Sequence, residues 1–109
     1  MAKKDADLLQ GTLNLLVLRT LELGPLHGWA ISKRIRQVSD EALQINQGSL
    51  YPALYRLEDQ GWIAAEWGTS PVGRRVKVYS LTAAGRKRLS EERTSWRSFS
   101  RAVELVLQQ

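Results

Sequence analysis

The sequence predicts a mainly α fold with one small β-hairpin, an α+β class of protein, on three observations. Apolar residues recur at helical spacing in four segments, and turn residues separate those segments. One strand-like stretch with a Gly-rich tip lies between the third and the fourth. A chain of 109 residues suffices for one compact unit, since an independent domain usually needs about 100.

The first helix is expected from Ala6 to Leu23. Leu9, Leu13, Leu16, Val17 and Leu21 follow the helical period, and Leu8, Leu15 and Leu18 widen the apolar surface until it has two faces to bury. Gly24-Pro25 stops it. The second helix should run from His27 to Ser39, with Ala30, Ile31, Ile35 and Val38 inward and Lys33, Arg34 and Arg36 on the polar side. Trp29 and Trp62 are expected in the core.

After a connection from Asp40 to Gln47, the third helix is expected to start at Gly48-Ser49, where the Ser49 hydroxyl can cap the first turn. Pro52, three residues on, would then fall where its missing N–H costs no helical bond. Leu50, Leu54 and Leu57 share the inward face, which leaves Ser49, Tyr51, Pro52 and Tyr55 on the open side. Gly61 is positioned as a left-handed C-terminal cap.

Strand-like residues follow from Trp62 to Trp67, then a turn at Gly68-Thr69-Ser70-Pro71-Val72-Gly73, then a return strand from Arg75 to Leu81. Thr82 can cap a last helix from Ala83 to about Leu107. In it Leu89, Trp96 and Val103 stand seven apart with Phe99 and Val106 between, a coiled-coil-like seam, although Glu92 interrupts it near the start. The expected organisation is therefore a body of residues 1–81 and a pairing helix of residues 82–109.

Composition narrows the function classes. The chain has no cysteine and one histidine, which excludes disulfides and thiol nucleophiles and leaves no ordinary transition-metal site, so no metal or cofactor is expected. No apolar run approaches the roughly 20 residues of a membrane helix, and Met1 to Asp7 is charged rather than apolar. A cytoplasmic protein without a membrane partner is expected.

The formal net charge is +5 and the pI is near 10.0, a balance that favours polyanionic partners. Its distribution says more than its sum. Between Trp67 and Ser90 lie Arg74, Arg75, Lys77, Arg86, Lys87 and Arg88 with no Asp or Glu among them, a field suited to phosphates.

Adjacent carboxylates occur at Asp40-Glu41, Glu58-Asp59 and Glu91-Glu92. Neighbours in a helix or turn diverge rather than converge on a substrate, and no thiol or histidine joins them, so no catalytic site is expected. His27 is read as structural.

Three helices followed by a basic hairpin is the order of a winged helix-turn-helix, in which the third helix enters the DNA major groove and the hairpin forms a wing. Here the reading helix would be residues 47–60 and the wing residues 68–80. Arg74, Arg75 and Lys77 would reach phosphates or the adjoining minor groove. Two other classes stay open: a winged-helix module that binds only protein, and a sensor that binds a small molecule.

Leu26-His27-Gly28-Trp29-Ala30-Ile31, the run from Gly48 to Leu57, Gly73-Arg74-Arg75 and Leu81-Thr82-Ala83-Ala84-Gly85 together resemble the successive signatures of PadR-like transcription regulators. Nearly the whole chain is covered, with the motifs in order. The resemblance implies a homodimeric repressor on a two-fold symmetric operator in double-stranded DNA. Gln47, Ser49, Tyr51, Pro52 and Tyr55 would face the duplex, and Arg74, Arg75 and Lys77 would line the wing.

By the same resemblance the last helix, often with the first, builds the dimer. That assigns Leu8, Leu89, Trp96, Phe99, Val103 and Val106 to the interface, and corresponds to the short family form with a single C-terminal pairing helix. In some relatives a tryptophan at the place of Trp96 stacks on flat apolar ligands between subunits, with residues matching Leu8, Leu15 and Arg19 nearby. A small planar apolar effector is therefore implied, while plain dimer packing by Trp96 is the competing reading. Half-buried packing likewise competes with a DNA role for Tyr51 and Tyr55, because tyrosine often buries its ring and leaves its hydroxyl wet.

Overall fold

The computed structural model describes the backbone of residues 2–109 and the side chains from residue 12 onward. The elements in chain order are α1 (Ala2–Glu22), β1 (Leu26–His27), α2 (Gly28–Val38), α3 (Gln47–Asp59), β2 (Ile63–Thr69), β3 (Arg75–Leu81) and α4 (Ala83–Leu107). The expected α+β class, four helices and a basic hairpin, is the one observed, and no described helix is long and apolar enough to cross a membrane.

The core forms where the apolar stripes of α1, α2 and α3 meet. Leu13, Val17, Leu18 and Leu21 of α1 bury against Ile31 and Ile35 of α2 and Leu50, Leu54 and Leu57 of α3. Ile63, Tyr79 and Leu89 close the cluster from the sheet and α4. Truncating one of these buried leucines to alanine costs about 2–5 kcal/mol, because the cavity left behind relaxes only in part.

The sheet has three strands in the order β1-β3-β2, all antiparallel. The two-residue β1 pairs Leu26 with Tyr79 and His27 with Val78, which ties the start of α2 to the wing. In the hairpin Ile63 faces Leu81, Ala65 faces Tyr79, Trp67 faces Lys77 and Thr69 faces Arg75. Directly opposed residues project from the same face, so the face that closes the core at Ile63 and Tyr79 runs outward to Trp67, Lys77 and Arg75.

The hairpin tip is shorter than its sequence implies, since Gly68 and Thr69 belong to β2. The amide of Gly73 donates to the Ser70 carbonyl at 2.9 Å and that of Ser70 to the Arg74 carbonyl at 2.7 Å. Pro71 sits at the second position of the turn, where its fixed φ is preorganised, and Gly73 takes φ +83°.

Gly61 caps α3 as expected. Its φ is +78°, and the Trp62 amide reaches back to the Leu57 carbonyl at 3.1 Å, the pairing of a Schellman motif. Thr82 then binds three elements together. Its hydroxyl donates to the Gly61 carbonyl at 2.7 Å and accepts from the Gly85 amide at 3.0 Å, while its own amide donates to the Trp62 carbonyl at 3.1 Å. Gly85 lies so close to that turn that an added Cβ would meet the Trp62 carbonyl oxygen.

Three expectations about burial are corrected: Trp29 and Val38 in the core, and Leu89 at the dimer interface. Trp29 is 56% exposed, because it lies two positions from Ile31 and thus on the far side of α2. Val38 has the right spacing but ends its helix and stays in solvent. Leu89 is 1% exposed within the single chain, so it completes the core and has no surface left for a partner. Trp62 does pack against the core as expected.

Candidate nucleic-acid interface

The start of α3 is fixed by Asn46 rather than Ser49. Asn46 has extended backbone and its Oδ1 accepts the Ser49 amide at 2.8 Å, which satisfies one of the free donors of the first turn. The helix therefore begins at Gln47, and Pro52 lies inside it rather than in its first turn. Lacking an N–H, Pro52 offers nothing to the carbonyl four residues back, that of Gly48.

Four α3 residues are open to solvent on the expected side: Gln47, Tyr51, Pro52 and Tyr55. Ser49 is half-buried, as befits the amide held by the cap. Tyr55 is 73% exposed and Tyr51 45%. The difference has a cause in the backbone beside them. The Tyr51 ring lies against Gly28, where an added Cβ would stand 2.7 Å from the phenolic oxygen, so the absent side chain of Gly28 makes room for Tyr51.

Arg74 and Arg75 are exposed at the wing, as expected. Arg75 does not extend freely, because its guanidinium stacks over the Trp67 ring at 4.5 Å from the centroid. Lys77 is half-buried, with Nζ 3.3 Å from Oε1 of Glu58 on α3. The Glu58 carboxylate beside it holds its ammonium above the ordinary lysine range. Lys77 thus braces the wing against α3 and is less available to phosphate than Arg74 and Arg75.

Between the wing and the start of α3 opens a groove of about 710 Å³, whose walls include Trp29, Tyr51, Trp67, Val72, Arg74 and Arg75. A second cleft of about 450 Å³ lies on the other side of Trp29, with Lys33, Arg36 and Gln47 on its walls. Among the described residues no carboxylate lines either one. The start of α3 is therefore flanked by cation-bearing recesses on both sides, although Arg36 is paired with Glu41 and Lys77 with Glu58, and such a field draws in a polyanion and repels basic surfaces. No cluster of His, Cys, Asp or Glu able to hold a metal occurs among the described residues.

Sequence reasoning missed Trp29 and Trp67 as residues of this surface, whereas His27 is structural, as expected. The His27 Nδ1 accepts the Ala30 amide at 3.4 Å as the N-cap of α2, and its ring stacks with Trp29 at 6.4 Å between centroids. The period was nonetheless readable: Trp29, Lys33 and Arg36 stand at i, i+4 and i+7, one outward stripe of α2.

Away from this surface, α4 carries a second exposed feature. Trp96, Phe99, Val103 and Val106 form an apolar row with little of its own chain over it, and the rings of Trp96 and Phe99 lie 6.4 Å apart. At its inner end Arg93 reaches Glu22 of α1 at 3.2 Å, and Arg19 pairs with the same carboxylate. Leu15 is partly buried against the core. The side chain of Leu8, expected at the dimer and ligand surfaces, lies outside the described residues.

Comparison with known proteins agrees with this architecture. The family described as transcriptional regulator PadR-like matches residues 17–91, from the last turns of α1 into the start of α4. A PadR family transcriptional regulator from Eggerthella lenta superimposes with a TM-score of 0.82 at 31% identity, over 99% of this chain and 92% of that one. A transcriptional regulator from Clostridium thermocellum gives 0.82 at 30% identity, over 90% and 95%. A transcriptional regulator of Mycobacterium tuberculosis is 35% identical over 62% of this chain and 63% of its own length. With α3, the basic wing and the winged-helix topology all in place, this chain belongs to the PadR-like family of transcriptional regulators and is a DNA-binding regulator of transcription.

Proposed function

We propose that two copies pair through α4 and act as a cytoplasmic repressor on a two-fold symmetric operator, each placing α3 in one major groove and its wing on the flanking backbone. The observation that carries this reading is the separation of two surfaces. Tyr51, Tyr55, Arg74 and Arg75 are open on one side, whereas Trp96, Phe99, Val103 and Val106 are open along α4. One surface suits a polyanion and the other an identical apolar row.

The free energy of pairing comes from removing that row from water, at roughly 25 cal/mol per Å² of apolar surface. A C2 dimer applies the same patch to itself, so the two reading helices become related by a two-fold axis and the operator must share that symmetry. Gln47, Ser49, Tyr51, Pro52 and Tyr55 face the duplex; Arg74 and Arg75, with Lys77 behind them, set its register through phosphates. The chain works by binding and release, with no bond made or broken.

Light scattering together with DNA titration tests this. The expected result is a dimer at micromolar concentration that shifts to monomer in a Trp96→Asp, Phe99→Asp variant, with operator affinity falling in parallel. A wild-type monomer, or a monomeric variant that keeps full operator affinity, overturns the dimeric reading.

A small planar apolar effector is the second reading, favoured by the half-exposed Trp96 ring with Phe99 beside it. Such a compound stacked there would quench Trp96 and shift DNA affinity by the same coupling factor. Quenching with unchanged DNA affinity refutes a regulatory role.

A further inference from the structure

Single exposed apolar side chains are ordinary on a protein surface, but several gathered into one recess with a charged rim mark an interaction site. Trp29 and Trp67 are 56% and 60% exposed, and both stand in the groove beside the start of α3, together with Tyr51 and Val72. Neither ring contributes to the core. Each carries a cation on its face: Lys33 Nζ lies 4.9 Å from the Trp29 centroid and the Arg75 guanidinium 4.5 Å from that of Trp67. Trp29 also borders the second cleft, so it forms the ridge between the two cationic recesses.

We infer that Trp29 and Trp67 are DNA-contacting residues, two cation-capped aromatic posts between which one sugar-phosphate strand passes as α3 enters the major groove. The inference rests on the DNA-binding reading of α3 and the wing and extends it to residues outside both motifs.

The occupant follows from the chemistry of the walls. They combine apolar ring faces with cations, and among the described residues no carboxylate lines the groove. A nucleic-acid strand presents the matching pair, apolar deoxyribose edges and anionic phosphates. An indole adds one more complementary group, an N–H donor with no acceptor function, suited to a phosphate oxygen.

The rings also prepare their cations. A free arginine or lysine loses side-chain freedom when it grips a phosphate, at a cost of about 0.5–1.5 kcal/mol. Arg75 on Trp67 and Lys33 on Trp29 have already given up part of that freedom to a cation–π contact. The His27 ring, stacked on the Trp29 indole and held by its bond from the Ala30 amide, fixes the position of Trp29 in turn.

The test is a titration of the full-length protein with a mixed-sequence duplex at low salt, comparing wild type with Trp29→Ala and Trp67→Ala. Neither change alters net charge, so a purely electrostatic surface predicts no effect. The posts predict about five-fold weaker binding for each variant, the size of one cation–π contact, and recovery of most of it in Trp29→Phe and Trp67→Phe. A second readout needs no alanine variant. Saturating duplex should shield both indoles from acrylamide quenching, which the wild-type signal shows by its difference from the two phenylalanine variants.

Wild type that binds while both alanine variants match it within about two-fold overturns the inference and leaves the DNA reading standing; so do indoles that acrylamide reaches equally in the complex. Wild type that ignores every duplex overturns the DNA reading itself. Poly-glutamate binding that depends on both tryptophans, beside duplex binding that does not, assigns the groove to an acidic protein segment and overturns the inference.

Discussion

Lys77 on the wing and Glu58 on α3 meet at 3.3 Å across 19 residues of sequence. The contact places one carboxylate beside the basic wing, and it takes up the charge of a lysine that would otherwise face phosphate. Both side chains are partly exposed, so the pair itself adds little to stability. Its larger effect is on binding. Glu58→Gln removes one negative charge and releases Lys77, so we expect tighter duplex binding, with the slope of log affinity against log salt steeper by up to about 0.9. An anisotropy titration over a salt series measures both. Weaker binding by the variant would mean that the pair positions the wing rather than restraining it.

The arginines of the hairpin should behave differently from Lys77. Arg74 and Arg75 are exposed and have no acidic partner among the described ion pairs. Arg74→Ala and Arg75→Ala should each lower the salt slope by about 0.9 and weaken binding to operator and random duplex alike. Lys77→Ala should lower it by less, because part of the lysine charge is already balanced by Glu58. Equal slopes for all three variants would refute this ranking.

Gly28 and Tyr51 should be energetically coupled. A Cβ on Gly28 would fall 2.7 to 2.9 Å from the Tyr51 ring, closer than any real contact, so Gly28→Ala must push the ring outward or separate α2 from α3. We expect a loss of about 1–3 kcal/mol, the usual cost of overpacking. In the Tyr51→Ala background the same substitution should cost much less, because its obstacle is gone. Chemical denaturation of the four proteins in a double-mutant cycle measures the coupling, and additive losses would show that the ring is not what Gly28 accommodates. Tyr51→Ala alone should also change preference among operator sequences while leaving random-duplex affinity nearly intact.

Much of the fold was legible because its signals are local. Helical spacing located α1 to α4, Gly61 and Thr82 marked two boundaries correctly, and the turn residues located the wing. The failures arose where a choice between equivalent local signals is made by distant atoms. Asn46 and Ser49 are both good caps, and the structure uses the first. Leu89 fits a heptad with Trp96 equally well as it fits the core, and burial against the body takes it. Trp29 is expected in the core although its phase on α2 matches Lys33 and Arg36. The two-residue β1 carries no periodicity at all, and the Lys77–Glu58 contact depends on a register that only the folded sheet sets.

Acid stability should report on the junction of α1 and α4. Arg19 hydrogen-bonds the Glu22 carboxylate and, against the opposing effect of burial, holds its pKa below the ordinary glutamate value, with Arg93 acting in the same direction. The unfolded chain therefore binds this proton at a higher pH than the folded one. The contribution of Glu22 is fully present above the unfolded value, about 4.3, and is lost as pH falls through the lower folded value. Arg93 reaches this carboxylate from α4, 71 residues away. Glu22→Gln should thus be less stable than wild type near neutrality and should lose less stability on acidification below about pH 4, as followed by thermal unfolding across a pH series. Arg93→Ala should give a weaker form of the same change, since Arg19 remains bound. A wild-type acid limb identical to that of Glu22→Gln would show that the two arginines stabilise the folded carboxylate no more than water does.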